Sequence, residues 1–403
     1  MKLSKKKLMV LGAGVNQLPL IKKAVKMDFF VITVDNIPGN IGHQYSHQFI
    51  NCSTVCEEEV LKAAKTLNIN GIVTMASDIA TPAAALVAEQ LGLPGGNYKA
   101  ADIMSNKAEF RRFQEQKGLN RPGYLIGCTS DEVKNELPGL TPPLVFKPVD
   151  VSGSRGISKV KKTTAENVDK AFTYAKKFSR SGKVCIEEYV DGIDLSGDGF
   201  IRDGKIEFAV ITKKIKKGFI PVGHFIPSDL SAEIQEKILD EIEKTCVQLG
   251  YLCGPFDFDV CVNRKIVVLE IGCRLGGNGI PQLIEYGTGI DLIGGTILSA
   301  VGEEHCFPGT YRVKNPCGSW IFGSSIPGTL KNIADERKIL LDFPGVFFVS
   351  IRYKKGSKVQ EFEHSANALG YILFNCSNHQ GYQTMVNRLE NSLNIHVEQG
   401  EEP

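Results

Sequence analysis

At 403 residues the chain is too long for one ordinary hydrophobic core, so two or three lobes are expected. Apolar residues make up 42% and charged ones 23%, and 47 basic against 45 acidic side chains leave a formal net charge of +2. That balance argues against a nucleic-acid or membrane partner while leaving room for a local basic groove. Eleven cysteines, odd in number and without CxxC spacing, argue against a disulfide framework and for reduced thiols in a cytoplasmic protein.

The opening "MKLSKKKLMVLGAGV" joins a basic start to a short apolar run that meets Asn16 and Gln17, and it reads as a first strand rather than a cleaved leader. "NQLPLIKKAVKM" then reads as a helix, "FFVITVD" as a strand, "CEEEVLKAAKTLN" as a helix, "GIVTMA" as a strand and "TPAAALVAEQLG" as a helix. Continuous apolar strands separated by amphipathic helices imply a parallel sheet covered on both faces. "GLPGG" at 92–96 is a turn cluster and a boundary. Helix "SNKAEFRRFQEQKG", strand "PLVFKPV", helix "AENVDKAFTYAKKF" and strand "KVCIEEYV" follow, the first ending at Gly118. Next come strands "KIEFAVIT", "FDFDVCV" and "KIVVLEI", with helix "AEIQEKILDEIEKTCVQLG" after the first. "IPQLIEYGTGIDLIGGTILSAVG" reads as one helix. The remainder reads as a small α+β lobe with strands near "VFFVSIRY" and "ALGYILFN" and a last helix "GYQTMVNRLENSL". No run approaches the roughly 18 apolar residues that cross a bilayer.

Three stretches carry chemistry. "LVFKPVDVSGSRGIS" sets Lys147 in an apolar strand just before a Gly/Ser loop. Such a loop can turn its N–H groups onto phosphate oxygens, with the ammonium as a point charge beside them, or it is simply a hairpin turn. "VCIEEYVDGID" ends a strand in Glu187, Glu188 and Tyr189, where main-chain atoms can meet an adenine edge. A solvated hairpin end is the plainer reading of that stretch. "GPFDFDVCVNRKIVVLEIGCRLGG" places Asp257 and Asp259 on one face of a strand and delivers Glu270 on the next, after four apolar residues. Asp259 and Glu270 standing side by side need a cation between them, and Mg²⁺ takes oxygen ligands and shares them with phosphates.

These motifs, in this order, resemble the ATP-grasp superfamily. They comprise Lys107 at a helix start, Lys147 with "SGSRG", the "EEYV" hinge, and the hairpin from Asp259 to "E-I-x-x-R". The chain looks most similar to the carbamoyl-phosphate-synthetase-like branch that includes L-amino-acid ligases. The resemblance implies a Rossmann-like pre-ATP-grasp domain at 1–100 and an ATP-grasp fold of two α+β lobes at 101–305, with a mobile lid at about 120–187. A small C-terminal α+β lobe at 306–403 completes the mixed α/β and α+β class. It implies ATP phosphates on Lys107 and Lys147, under a lid of Ser152, Gly153, Ser154, Arg155 and Gly156. Adenine falls to Glu187, Glu188, Tyr189 and Val190, and the ribose to Asp194. Mg²⁺ or Mn²⁺ falls to Asp259 and Glu270, and the acyl-phosphate to Arg274. Lys213 is a further phosphate ligand, and His224, Gly276 and Gly277 lie near the substrate. The implied activity is an ADP-forming carboxylate–amine ligase acting on small molecules, in a cytoplasmic chain for which a homodimer is an expected assembly. The alternatives are a bicarbonate-using carboxylase of the purine-biosynthesis type and a non-catalytic ATP sensor. One departure stands out: the family segment commonly carries Asn two residues after the metal-binding Glu, and here that position is Gly272.

Two rivals remain. "VLGAGVNQ" with Asp35 suggests a dinucleotide loop, but Gln17 stands where the third glycine belongs. His43 and His47 sit four apart like zinc ligands, yet Gly42 favours a loop and solvated or structural histidines.

Overall fold

The computed structural model describes residues 5–399; the first four and last four residues of the two expected outer lobes lie outside them. Near the N-terminus a parallel sheet runs in the spatial order Gln48–Ile50, Phe30–Val34, Lys7–Leu11, Gly71–Thr74. Alternate residues of its strands feed two cores. Leu8, Val10 and Val31 pack with Leu20 and Ile21 of helix Leu18–Lys26, and with Ile293 and Ile297 of the distant helix Leu292–Ala300. Met9, Leu11 and Ile32 pack with Val60 of helix Glu57–Leu67 and Val87 of helix Thr81–Leu91. The expected sheet with both faces covered is what the apolar runs build.

An eight-stranded sheet forms the centre. Its order is Ile266–Gly272, Gly254–Val262, Ile193–Arg202, Lys205–Lys217, Ile220–Ile226, Cys317–Phe322, Gly370–Asn375, Val346–Ile351. All of its pairings are antiparallel, and the last three strands come from the C-terminal stretch. A separate four-stranded antiparallel sheet runs Tyr124–Gly127, Val184–Glu188, Leu144–Pro148, Ser158–Val160, backed by helix Ala165–Phe178. Among the described residues no helix is long and apolar enough to cross a membrane.

Three local readings need correction. Strand Ile193–Arg202 was not anticipated. The glycines are there for packing: a Cβ at Gly197 would meet the Phe258 ring at 2.6 Å, and one at Gly199 the Phe256 ring at 2.5 Å. Burying those rings contributes about 1.5–3 kcal/mol each, which outweighs the roughly 0.5–1 kcal/mol cost of glycine in a strand. Strand Ile220–Ile226 was likewise unread. The long helix after the glycine-rich stretch is two helices, Ile280–Thr288 and Leu292–Ala300, because Gly289 turns left-handed at φ 82° and Asp291 caps the second.

Candidate active site

Where the two inner sheets face each other lies a cleft of about 400 Å³. At one end Lys107 opens helix Lys107–Gln116, whose start is fixed by Asn106 accepting from the N–H of Ala108 at 3.0 Å. The Lys107 ammonium donates to Glu270 Oε1 at 2.9 Å and to the Val151 carbonyl at 2.8 Å. Burial opposes its charge, but the Glu270 carboxylate outweighs burial and raises its pKa. Lys147, on the lid strand Leu144–Pro148, is paired with Glu187 Oε2 at 2.7 Å. Arg111, one turn along the helix from Lys107 and wholly buried, holds the other Glu187 oxygen at 2.8 Å. Burial pushes the Glu187 carboxyl up, but Arg111 and then Lys147 hold it down at about 2.

The loop after Lys147 covers this end. Gly153, Ser154 and Gly156 all have positive φ. Its contacts reach forward: the Ser154 hydroxyl donates to the Phe219 carbonyl at 2.9 Å, and the Ser365 N–H donates to the Gly153 carbonyl at 3.1 Å. Arg155 donates to the Ser152 carbonyl at 3.1 Å, and burial, then Arg180, lowers its pKa. At the hinge between the sheets, Glu188 accepts from the Thr141 N–H at 2.8 Å, and the Tyr189 N–H reaches the Pro143 carbonyl at 2.8 Å. Lys159 lies over the Tyr189 ring, 3.1 Å from its centroid. Val190 lines the same wall, and Asp194 is ion-paired with Lys216.

On the large sheet Asp259 stands opposite Glu270 in register. Asp259 accepts from Ser196 and, at 2.6 Å, from Lys214; Lys214 outweighs burial and keeps its carboxyl below the usual range. Glu270 is likewise lowered, with Lys107 outweighing burial. Two ionised carboxylates side by side, each neutralised by a lysine, fit a divalent cation that takes its other ligands from phosphates and water. Among the described residues no group of three His, Cys, Asp or Glu side chains is placed to hold a metal ion by itself.

Beyond them Arg274 is held between Asp78 and Asp257, the latter at 2.5 Å. Asp198, fully buried, accepts from the Gly276 N–H at 3.0 Å, and burial raises its carboxyl to about 7. Burial also lifts Asp257 well above the carboxylate range. Three acids thus surround one arginine. Gly277 backs onto Ala76, where the N–H of Ala76 meets the Leu275 carbonyl at 2.9 Å and ties the leading sheet to this wall. His224 is buried, with Nδ1 3.0 Å from the Thr212 hydroxyl, and burial followed by Lys214 lowers its pKa to about 3.

Residues 140–282 match the family model described as the ATP-grasp domain. The chain carries an ATP-grasp domain. Alanine–anticapsin ligase of Bacillus subtilis is 26% identical over 286 residues, covering 64% of this chain and only 60% of that relative. Phosphoribosylamine–glycine ligase of Lactococcus lactis is 29% identical over 286 residues, covering 66% of this chain and 67% of the relative. The L-amino acid ligase of Bacillus licheniformis superposes over 99% of this chain and 100% of its own, with TM-score 0.84 and 20% identity, which is a likeness of fold.

Within the ATP-grasp cleft one expected residue is displaced. Lys213 points away and pairs with Asp229 at 3.4 Å, whereas Lys214 and Lys216 line the cleft. Side chains alternate along a strand, so the reading was off by one residue in strand parity. Lys214→Ala is expected to weaken ATP binding about 10–100-fold, as loss of a charge-assisted contact does, and Lys213→Ala by less than about 3-fold. Titration with a fluorescent ATP analogue checks both. Glu187 is also unavailable to adenine in the way expected, because both its oxygens are engaged by Arg111 and Lys147. Arg111, Asp198, Lys214 and Lys216 were not singled out as site residues, whereas the loop of Asp78 in "MASDIATP" was expected to line the substrate pocket and does. Arg111 left a signal: Lys107, Arg111 and Gln114 share one helix face with the spacing of a buried stripe.

The Gly272 departure has a steric cause. A Cβ there would stand 2.6 Å from Asp257 Oδ1 and 2.8 Å from Asp78 Oδ1. The two acids that bracket Arg274 occupy the space a family asparagine needs.

The dinucleotide reading fails on local geometry. Asp35 Oδ2 accepts from the Ala13 N–H at 2.8 Å and from Asn40 at 2.9 Å, and Gln17 packs over the Gly12 turn. His43 Nδ1 is bonded to Thr33 at 2.8 Å and His47 Nδ1 accepts from the Val31 N–H at 3.1 Å, so both tie their loop to strand Phe30–Val34.

Proposed function

We propose that the chain is an ATP- and Mg²⁺-dependent carboxylate–amine ligase that forms an amide through an acyl-phosphate and releases ADP and phosphate. The observation that carries this reading is the convergence of Lys107, Lys147, Asp259, Glu270 and Arg274 on one cleft. Lys107 and Lys147 hold the β- and γ-phosphates, Lys107 exchanging its Glu270 partner for them while Glu187 keeps Lys147 in place. A cation bound at Asp259 and Glu270 supplies charge neutralisation on the phosphates. Arg274 orients the substrate carboxylate, whose oxygen attacks the γ-phosphorus as the bond to the β-phosphate oxygen breaks and ADP leaves. An amine nitrogen then attacks the acyl carbon, loses its protons, and expels phosphate. The stretch of about 120–187 acts as the lid, excluding water from the acyl-phosphate.

The test is ADP release from Mg-ATP with hydroxylamine present, across pools of amino acids, other carboxylic acids and bicarbonate, with Glu270→Gln as control. Hydroxamate from one carboxylic acid, absent in the control, is the expected result. ATP binding without turnover in any pool points to the sensor reading, and stimulation by bicarbonate alone to the carboxylase.

A further inference from the structure

A second cavity, of about 360 Å³, lies in the seam between the leading sheet and the large sheet. Thr81 and Cys273 line it, whereas Asp78 and Arg274 line the cleft. The sequence makes the space. Thr81, Ala84, Ala85 and Ala88 fall on one face of helix Thr81–Leu91, and nothing on that face is larger than threonine. The "GLPGG" turn forms the rim, with Pro94 and Gly95 exposed. A Cβ at Gly95 would stand 2.5 Å from the Ala88 Cβ, and one at Gly96 2.8 Å from the Tyr251 ring, so glycines let the turn lie this close. Protein interiors leave few voids larger than a water molecule, and a space of this size between lobes is where ligand pockets occur.

The lining is neutral. Among the described residues no Asp, Glu, Lys, Arg or His lines the cavity. Burial raises the pKa of both lining thiols, Cys253 and Cys273, so neither is charged near neutrality. Three of its four buried hydroxyls are engaged. Thr74 donates to the Leu11 carbonyl at 2.8 Å, Thr81 to the Asp78 carbonyl at 2.7 Å and Tyr251 to the Pro255 carbonyl at 2.6 Å. The fourth, Thr296, is 1% exposed, and among the described residues its hydroxyl has no partner. Helix threonines can donate to the carbonyl four residues back, as Thr245 and Thr288 do at 2.7 Å, and Thr296 does not. A buried hydroxyl left unpaired is a standing cost that the polar group of a ligand removes.

We propose that this cavity is an effector site for a compact, neutral, largely apolar molecule with one hydrogen-bonding group for Thr296, and that its occupancy braces the Asp78–Arg274 pair. Thr81 is bonded to the Asp78 carbonyl, and Cys273 precedes Arg274 in the chain, so an occupant touches a neighbour of each half of that pair. Filling the void favours the arrangement in which the two sheets meet and the guanidinium is aimed. The effector role rests on the ligase reading above; the binding does not.

Indole is the probe, set against indole-3-acetate and tryptamine, which place a negative or a positive charge on the same ring. Ligand-observed NMR titration reads binding to wild type, to Ala84→Phe, which fills the cavity, and to Thr296→Val, which keeps the shape without the hydroxyl. Wild type is expected to bind indole at least about 10-fold more tightly than either charged analogue, since neither charge meets a partner. Ala84→Phe should lose indole, and Thr296→Val should weaken it about 3–10-fold, the worth of one hydrogen bond. Charged analogues bound as tightly as indole, or indole bound equally by wild type and both variants, overturn the site. In the hydroxylamine assay saturating indole should lower the KM of the acid about 5-fold in wild type and leave Ala84→Phe unaffected. Binding with no change in KM overturns the effector role. If no acid yields hydroxamate the ligase reading fails, and hydrogen exchange then decides the bracing. Indole should slow exchange at 75–81 and 273–277 in wild type and not in Ala84→Phe, and unchanged exchange overturns it.

Discussion

Arg274→Gln is expected to slow acyl-phosphate formation about 10³–10⁵-fold, the range over which a single arginine acts on a transferring phosphoryl group. The geometry makes the loss larger than that of an exposed charge. Arg274 is almost fully buried between Asp78 and Asp257, so its guanidinium is already aimed and needs little reorganisation when charge develops. Arg274→Lys should recover little, because one ammonium cannot span two carboxylates as a planar fork does. Hydroxamate formation reads the rate. ATP-analogue titration separates chemistry from binding, and binding should change less than about 10-fold because Lys107 and Lys147 are untouched. A loss of under 10-fold in rate would remove Arg274 from the transition state.

Glu187→Gln should be the most destabilising change near the site. The carboxylate is buried and neutralises two cations, Arg111 at 2.8 Å and Lys147 at 2.7 Å. Breaking a buried pair by deleting one partner costs about 3–5 kcal/mol, because the remaining charge is stranded. Chemical unfolding at neutral pH measures this. The pH dependence identifies the cause. The Glu187 carboxyl falls from an ordinary 4.5 to about 2 in the folded protein. As pH drops below 4.5 the unfolded chain takes up that proton before the folded one does. The contribution is therefore complete above pH 4.5 and lost as pH falls toward 2, and the gap between wild type and variant should narrow over that window. A gap that stays constant down to pH 3 would assign the loss to packing instead. The same substitution should weaken ATP binding, since Lys147 would lose the group that fixes its position.

The parts of the site legible in the sequence were those that local pattern controls. Lys147 followed by a Gly/Ser loop, and Asp259 opposite Glu270 across a short turn, are encoded within stretches of fewer than twenty residues. The loop needs only its local sequence, whereas the Asp259–Glu270 pairing also uses a bulge beside Asp259, since the turn's register alone would set Asp259 opposite Leu269. Arg111 was half legible, because helical spacing shows the stripe but not the Glu187 that justifies burying it. The parity of Lys213 and Lys214 was not legible, since a strand that begins one residue earlier or later reverses every side chain.

What the sequence by itself determined was the succession of elements, the parallel leading sheet, the phosphate loop and the cation hairpin. The loop and the hairpin depend on near neighbours in the chain, and the sheet is announced by the apolar runs of its strands. Only the tertiary structure decided that helix Leu292–Ala300 closes the core of the leading sheet and that Asp78 reaches Arg274. It alone placed Arg352 beside Asn16, 336 residues away. Those contacts join segments with no common periodicity. Burial of apolar faces brings them together, and the charges they strand or satisfy can be counted only once the faces have met.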